Sequence, residues 1–232
     1  MGIAENDPKR EFREAAVLGR KLFYNSKDSI MSDGVACSSC HPEGRDDGFV
    51  WREDESGLFG LPDDAEKLGH PRQTPMLAGR VGNKGAFGWR GESKDLPSRI
   101  EHGFRLHRGS GAGGSHARAI AAFLLKGVLP PPKKERELTA TEKRGKAVFH
   151  SPDTGCLGCH NPDNGYTDRL AVPLKLPVRA GFASEESKFN TPGLAYVSGT
   201  PPYLHDGSVY TLESLIYDND DRMGKTNQLS SA

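Results

Sequence analysis

The 232-residue chain carries 31 basic and 31 acidic side chains, so its formal net charge is zero. That balance, which neither half breaks, excludes a nucleic-acid or polybasic membrane binder, whose affinity needs surplus positive charge, and no apolar run approaches the ~20 residues of a membrane span. With 28 glycines and 16 prolines against 35% hydrophobic residues, the chain is loop-rich with a thin aliphatic core and needs something besides side chains to pack around.

Residues 13–23 (REAAVLGRKLF) space their apolar side chains three and four apart and predict a helix. The pentapeptide Cys37-Ser38-Ser39-Cys40-His41 follows it. Residues 117–129 (ARAIAAFLLKGVL) predict a second helix, ended by Pro130-Pro131-Pro132, and this proline run with the charged KKERE after it predicts a linker. Thr139, three residues before Glu142, predicts a capping box that opens a third helix over 141–149. A second pentapeptide, Cys156-Leu157-Gly158-Cys159-His160, comes next. The lead-ins also match, with a Gly-x-x-x-Phe element from Gly19 to Phe23 and another from Gly145 to Phe149. This internal repeat predicts two domains, 1–132 and 133–232, mainly α and loop-rich, with only short strand-like pieces.

All four cysteines fall in the two pentapeptides. Two thiols three positions apart can each add to one vinyl group of a haem, and the adjacent histidine is then held under the iron as an axial ligand. Three other chemistries use paired cysteines. A structural zinc site would leave both histidines as coincidence. A thioredoxin-like pair usually follows an apolar strand, and neither copy has one. A disulfide scaffold is open to any four cysteines. Two covalent haems explain every residue of both motifs.

At these residues the chain resembles the bacterial di-haem cytochrome c peroxidase family, which includes the enzyme that matures methylamine dehydrogenase. The resemblance runs from Leu18-Gly19-Arg20-Lys21-Leu22-Phe23 to Gln228-Leu229-Ser230. It passes through Arg72-Gln73-Thr74-Pro75-Met76-Leu77, Gly88-Trp89-Arg90-Gly91, Pro202-Tyr203-Leu204-His205-Asp206-Gly207 and Met223-Gly224-Lys225-Thr226-Asn227-Gln228-Leu229. It implies two c-type cytochrome domains, each wrapped around one covalent haem. The wording of HPEGRDDG and DRMGKTNQLS resembles a branch fused to β-propeller domains, so the chain is expected to be a piece of a longer protein.

The resemblance also implies roles. Cys37, Cys40 and His41 hold the peroxidatic haem. Cys156, Cys159 and His160, with Met223 opposite, hold an electron-transfer haem, because a thioether raises the potential. His70 stands near the position of a distal ligand to the first iron. The family's acid–base glutamate has no counterpart, since Arg108-Gly109-Ser110-Gly111 occupy its place; Glu101, His102 and His107 are the neighbours that can substitute. Trp89 matches a tryptophan between the haems. Gln73, Thr200 and Pro202 match an inter-domain calcium site, and His205 is expected near a haem propionate or the domain interface.

Three functions are compatible with these residues. One is reduction of hydrogen peroxide with electrons from a small cytochrome c or cupredoxin, entering at the second haem and passing through Trp89. Another is oxidation of a side chain on a fused or separate protein, in which class Tyr rather than Met is the second distal ligand. The third is plain electron transfer. Covalent haem attachment happens outside the bacterial inner membrane, so a periplasmic or otherwise extracytoplasmic location is expected, although the polar start MGIAENDPKREFREAAV is not a signal segment.

Overall fold

The computed structural model describes residues 8–27, 34–53, 70–106, 113–130, 135–174 and 188–229. It is mainly α and loop-rich, as the composition requires. Helix α1 (Pro8–Phe23) begins earlier than expected, because a proline is tolerated in a first turn whose N–H groups lack helical acceptors. It buries Gly19, Leu22 and Phe23 against α4 (Gly114–Gly127), which buries Ala117 and the run Ala119 to Leu124. Gly19 permits that closeness, since a methyl group there would collide with the Ala119 carbonyl.

Helix α3 (Leu96–Leu106) was not anticipated. Pro97 sits in its first turn, where a proline is tolerated. Asp95 caps the helix by accepting the Ser98 N–H at 2.8 Å. Leu96, Ile100 and Phe104, four apart, face the same core as Leu22, Phe23, Met76, Val81, Ile120 and Phe123. All members of this apolar cluster precede the proline run.

The second half is built differently. Its first helix, α5 (Ala140–His150), has the expected capping box: Thr139 Oγ1 accepts the Glu142 N–H at 3.2 Å, and Glu142 accepts the Thr139 N–H at 2.8 Å. Yet α5 buries none of its residues. Among the described residues this half buries chiefly polar side chains, Thr154, Thr167, Asn190, Thr191, Thr200, His205, Asp206 and Asn219, with Phe189 and Tyr203. A short helix, α6 (Leu212–Tyr217), capped by Thr211, completes it.

Beyond the pentapeptides, the structure extends the repeat. Each half carries an antiparallel hairpin, β1 (Val50–Glu53) with β2 (His70–Gln73), and β3 (Ala171–Pro173) with β4 (Lys188–Asn190). A Thr-Pro step follows β2 and β4 (Thr74-Pro75, Thr191-Pro192). After it Leu77 N–H bonds Gly44 O at 2.9 Å in one half, and Leu194 N–H bonds Gly165 O at 3.3 Å in the other. Then comes a loop closed by a single bridge, Phe87 to Ser93 in the first half and Tyr203 to Val209 in the second. Trp89 and His205 occupy matching places in these loops. The halves exchange equivalent bonds: Gln73 N–H donates to His205 O at 2.7 Å, and Asn190 N–H donates to Trp89 O at 2.8 Å.

Candidate haem sites

In the first site, the single helical turn α2 (Cys37–Cys40) places both thiols on one side of the chain. Ser39 Oγ accepts the Ala36 N–H at 3.1 Å, and the His41 N–H continues the turn onto Cys37 O at 2.9 Å. The following turn, Pro42–Gly44, brings the Arg45 carbonyl to 3.3 Å from His41 Nδ1. Cys37 packs against the apolar core. Burial pushes its thiol up to about 12, and burial, then the charge of Asp47, pushes Cys40 up to about 11. Neither is a thiolate at neutral pH, which disfavours the redox-pair chemistry.

In the second site, a 3₁₀ turn (Cys156–Gly158) follows Gly155, whose φ of 70° closes the approach. His160 N–H bonds Cys156 O at 3.0 Å, and His160 Nδ1 donates to Tyr166 O at 2.8 Å. The Phe149 ring lies 6.3 Å from the His160 ring and 5.9 Å from that of Tyr166. Burial holds the His160 pKa below its ordinary value, which favours the neutral imidazole a metal requires.

These residues fit two covalently held haems on three counts. The four cysteines are in no disulfide. Each histidine turns Nδ1 to a backbone carbonyl, which places the proton there and the lone pair on Nε2, the usual arrangement behind a metal-binding imidazole. The second half lacks an aliphatic core of its own among the described residues, so a macrocycle against α5 would supply the missing apolar body.

Of the remaining predicted residues, Met223 lies next to the second site. The Lys225 N–H donates to Thr154 O at 2.8 Å, and a Cβ on Gly224 would stand 3.7 Å from Cys156 Sγ. Trp89 sits where the halves meet: its Nε1 donates to Gln73 O at 3.2 Å, and its ring lies 6.4 Å from that of His205 in an edge-on arrangement. His205 is buried, and its ring lies 4.2 Å from that of Phe189. Glu101 is on α3 beside the start of α4, where a Cβ on Gly114 would meet its Oε1 and the Arg118 guanidinium at 3.1 Å each. His102 is half-buried beside it. His107 and the side chain of His70 lie outside the described residues.

The three positions expected for calcium supply amide, hydroxyl and carbonyl oxygens. Gln73 and Thr200 are buried, as is Pro202. None of the three supplies a carboxylate, which calcium prefers, and a cation is already present. Arg80 donates from Nε to Ala195 O at 2.8 Å and from Nη2 to Thr200 Oγ1 at 3.4 Å. Burial pushes this guanidinium down to about 10, partly opposed by the nearby charge of Asp46. Arg169 returns a bond from the second half to Arg80 O at 2.6 Å and lies 4.9 Å over the Phe87 ring. Neither arginine was singled out in the sequence, because arginines at an interface have no local pattern. Nor was Asn219, the buried amide beneath Met223.

Two cysteine pairs without a disulfide, each followed by a histidine whose Nδ1 faces a backbone carbonyl, are the arrangement a c-type cytochrome with two attachment sites would need. No family model matches it. The chain is 28% identical over 250 residues to the methylamine utilization protein MauG of Methylophilus methylotrophus, covering 88% of this chain and 71% of that protein. It is 26% identical over 257 residues to cytochrome c551 peroxidase of Pseudomonas aeruginosa, covering 86% and 69%. Among solved structures, hydrazine synthase of Kuenenia stuttgartiensis superposes with a TM-score of 0.70 at 20% identity, covering 100% of this chain and 90% of that one. A MauG-like protein associated with microbial copper homeostasis gives 0.62 at 23% identity, covering 100% and 80%. A variant of the diheme peroxidase BthA from Burkholderia thailandensis gives 0.58 at 18% identity, covering 95% and 74%. The structural likenesses establish the fold. Both curated relatives, MauG and a cytochrome c551 peroxidase, are similar to this chain over most of its length and support the resemblance read from its motifs.

Proposed function

We propose that the chain reduces hydrogen peroxide to water with electrons from a small cytochrome c or cupredoxin. Each peroxide takes two electrons and two protons and leaves as two waters. Haem supplies one-electron transfer and, where its iron keeps an open position, a seat for peroxide. The chain's own residues do the rest. Cys37 and Cys40 anchor one group, with His41 behind it; Cys156 and Cys159 anchor the other, with His160 behind it. The domain boundary falls in the proline run, at 132/133. Trp89, bonded at both ends of its residue to groups of the inter-half region, is the aromatic route between the two sites. Glu101 is the described acid best suited to move the protons, with His107 as its alternative.

The observation that carries this reading is the docking of the Met223 loop on Thr154, two residues before Cys156. A thioether beside that site fits an electron-entry haem; the maturation-type enzymes use a phenol there. Tyr210 and Tyr217, the tyrosines nearest Met223 in sequence, are 66% and 63% exposed. The absence of a glutamate at Arg108-Gly109-Ser110-Gly111 weakens peroxide reduction and favours plain electron transfer instead; side-chain oxidation of a partner protein is the second reading. No helix among the described residues is long and apolar enough to cross a membrane. We infer an extracytoplasmic location from the covalent haem chemistry. The test is peroxide-dependent oxidation of a reduced small cytochrome c by the holoprotein. Turnover supports peroxide reduction. Its absence, with oxygen added to a partner protein by mass spectrometry, supports the second reading.

A further inference from the structure

One buried amide organises the loop that carries Met223. Asn219 is 4% exposed. Its Oδ1 accepts the Met223 N–H at 2.8 Å. Its Nδ2 donates to the Met223 carbonyl at 3.4 Å, the Gly224 carbonyl at 3.1 Å and Thr226 Oγ1 at 3.0 Å. The backbone on both sides of Met223 is therefore bonded to the same side chain. Asp221 closes the outer edge, where its Oδ1 accepts the Thr226 and Asn227 N–H groups at 2.6 and 2.9 Å. Asp220, Asp221 and Gly224 take φ of 50°, 54° and 80°, a left-handed path that needs such support outside glycine.

The loop so wrapped is fastened to the second haem-attachment turn at its far end. Lys225 N–H bonds Thr154 O, and a Cβ on Gly224 would stand 2.6 Å from that oxygen. Any side chain at Gly224 would lift the loop off the turn. The loop is also held by Gln228, whose Nε2 donates to Asp153 O at 3.4 Å, so Met223 lies between one buried polar centre and these attachments.

We infer that Asn219 is a positioning residue for the second haem. Its amide fixes the Met223 backbone in the shape that presents the thioether beside Cys156. This rests on the reading of Met223 as the sulfur ligand. A neutral thioether is a weak ligand, so it stays bound because the loop holds it in place; an unfixed loop lets it leave. Asp in place of Asn keeps the acceptor for Met223 N–H. It also sets a carboxylate oxygen against two carbonyls and a hydroxyl, among which the two amide N–H groups were shared. Ala removes all four bonds and leaves buried peptide groups unpaired.

The experiment compares holoproteins of the wild type, Asn219→Asp, Asn219→Ala, Asp221→Asn and Met223→Leu. Intact mass establishes that both haems are attached in each. The readouts are the weak near-infrared absorption of thioether-ligated ferric haem, the midpoint potential of the second haem, and the rate at which added imidazole displaces its distal ligand. The expected result is that N219D loses the near-infrared band and lowers the potential toward that of M223L. N219A admits imidazole about tenfold faster, which corresponds to ~1.4 kcal/mol, while D221N stays near wild type. The inference is overturned if N219D and N219A keep the wild-type band, potential and imidazole rate. A wild type without the band, unchanged in M223L, would instead defeat the Met223 reading and the inference with it.

Discussion

At the scale of single residues, the placement of protons decides most of what the sites can do. A carbonyl behind each pentapeptide histidine, Arg45 O for His41 and Tyr166 O for His160, would leave Nε2 as the ring nitrogen able to bind iron. The pentapeptides made the cysteines and histidines legible in the sequence, because the covalent chemistry dictates their spacing. The carbonyl partners were not legible, since any residue can supply one. Glu101 is the acid–base group in the proposed peroxide reduction; on that proposal Glu101→Gln should lower peroxide turnover by ~10²-fold or more, within the usual range for a general acid–base group. Unchanged turnover in E101Q would remove Glu101 from the chemistry and leave His107. Glu142 gives a separate pH test. Its hydrogen bond to Arg136, then that to the Thr139 N–H, holds its carboxyl at about 2 instead of 4.5. The depressed value means that the stabilisation is complete above pH 4.5 and is lost as pH falls toward 2. Glu142→Gln should therefore flatten the acid-side decline of the denaturation midpoint across that window. Parallel profiles for the two proteins would contradict the assignment.

At the scale of elements, the two lead-in helices share a sequence pattern but not an environment. Their Gly-x-x-x-Phe elements were legible as a repeat, yet the sequence did not tell which glycine is packed. Gly19 meets the backbone of α4 directly, whereas a Cβ on Gly145 would meet nothing within 4 Å. Gly19→Ala should thus destabilise the holoprotein by ~1–3 kcal/mol through overpacking. Gly145→Ala should be neutral or stabilising by up to ~1 kcal/mol through helix propensity. Thermal unfolding of both variants checks the contrast, and equal midpoints would contradict it. Helix α3 escaped the sequence reading for a similar reason. Its Pro97 and Gly103 look like breakers locally, and only the Asp95 cap and the shared core around Ile120 make a helix of it. The capping box on α5 was read correctly because both of its members lie within four residues of each other.

At the scale of the whole molecule, the halves are joined by an exchange of like for like. Gln73 reaches the His205 loop, Asn190 reaches the Trp89 loop, and the two rings meet edge-on between them. This pairing was beyond sequence reading, since the bonds are made by backbone groups far apart in the chain. A second cross-link, Arg80 on Ala195 and Thr200, brings fixed positive charge to the region expected to hold calcium. Chelation of calcium from the holoprotein should accordingly leave its thermal midpoint and haem spectra unchanged. A drop in midpoint that added calcium reverses would contradict the role given to Arg80. Trp89→Phe should keep both haems attached while slowing peroxide turnover, because the indole bonds the Gln73 carbonyl and meets the His205 ring between the halves; full turnover in W89F would remove the ring from the electron route. All of these expectations presuppose two haems fixed by thioether bonds. The most direct measurement is the intact mass of protein produced in a host that attaches haem c, beside the Cys156→Ser/Cys159→Ser double variant. The account predicts two haem increments on the wild type and one on the variant, both with Soret absorbance. A wild-type mass equal to that of the bare polypeptide would contradict it.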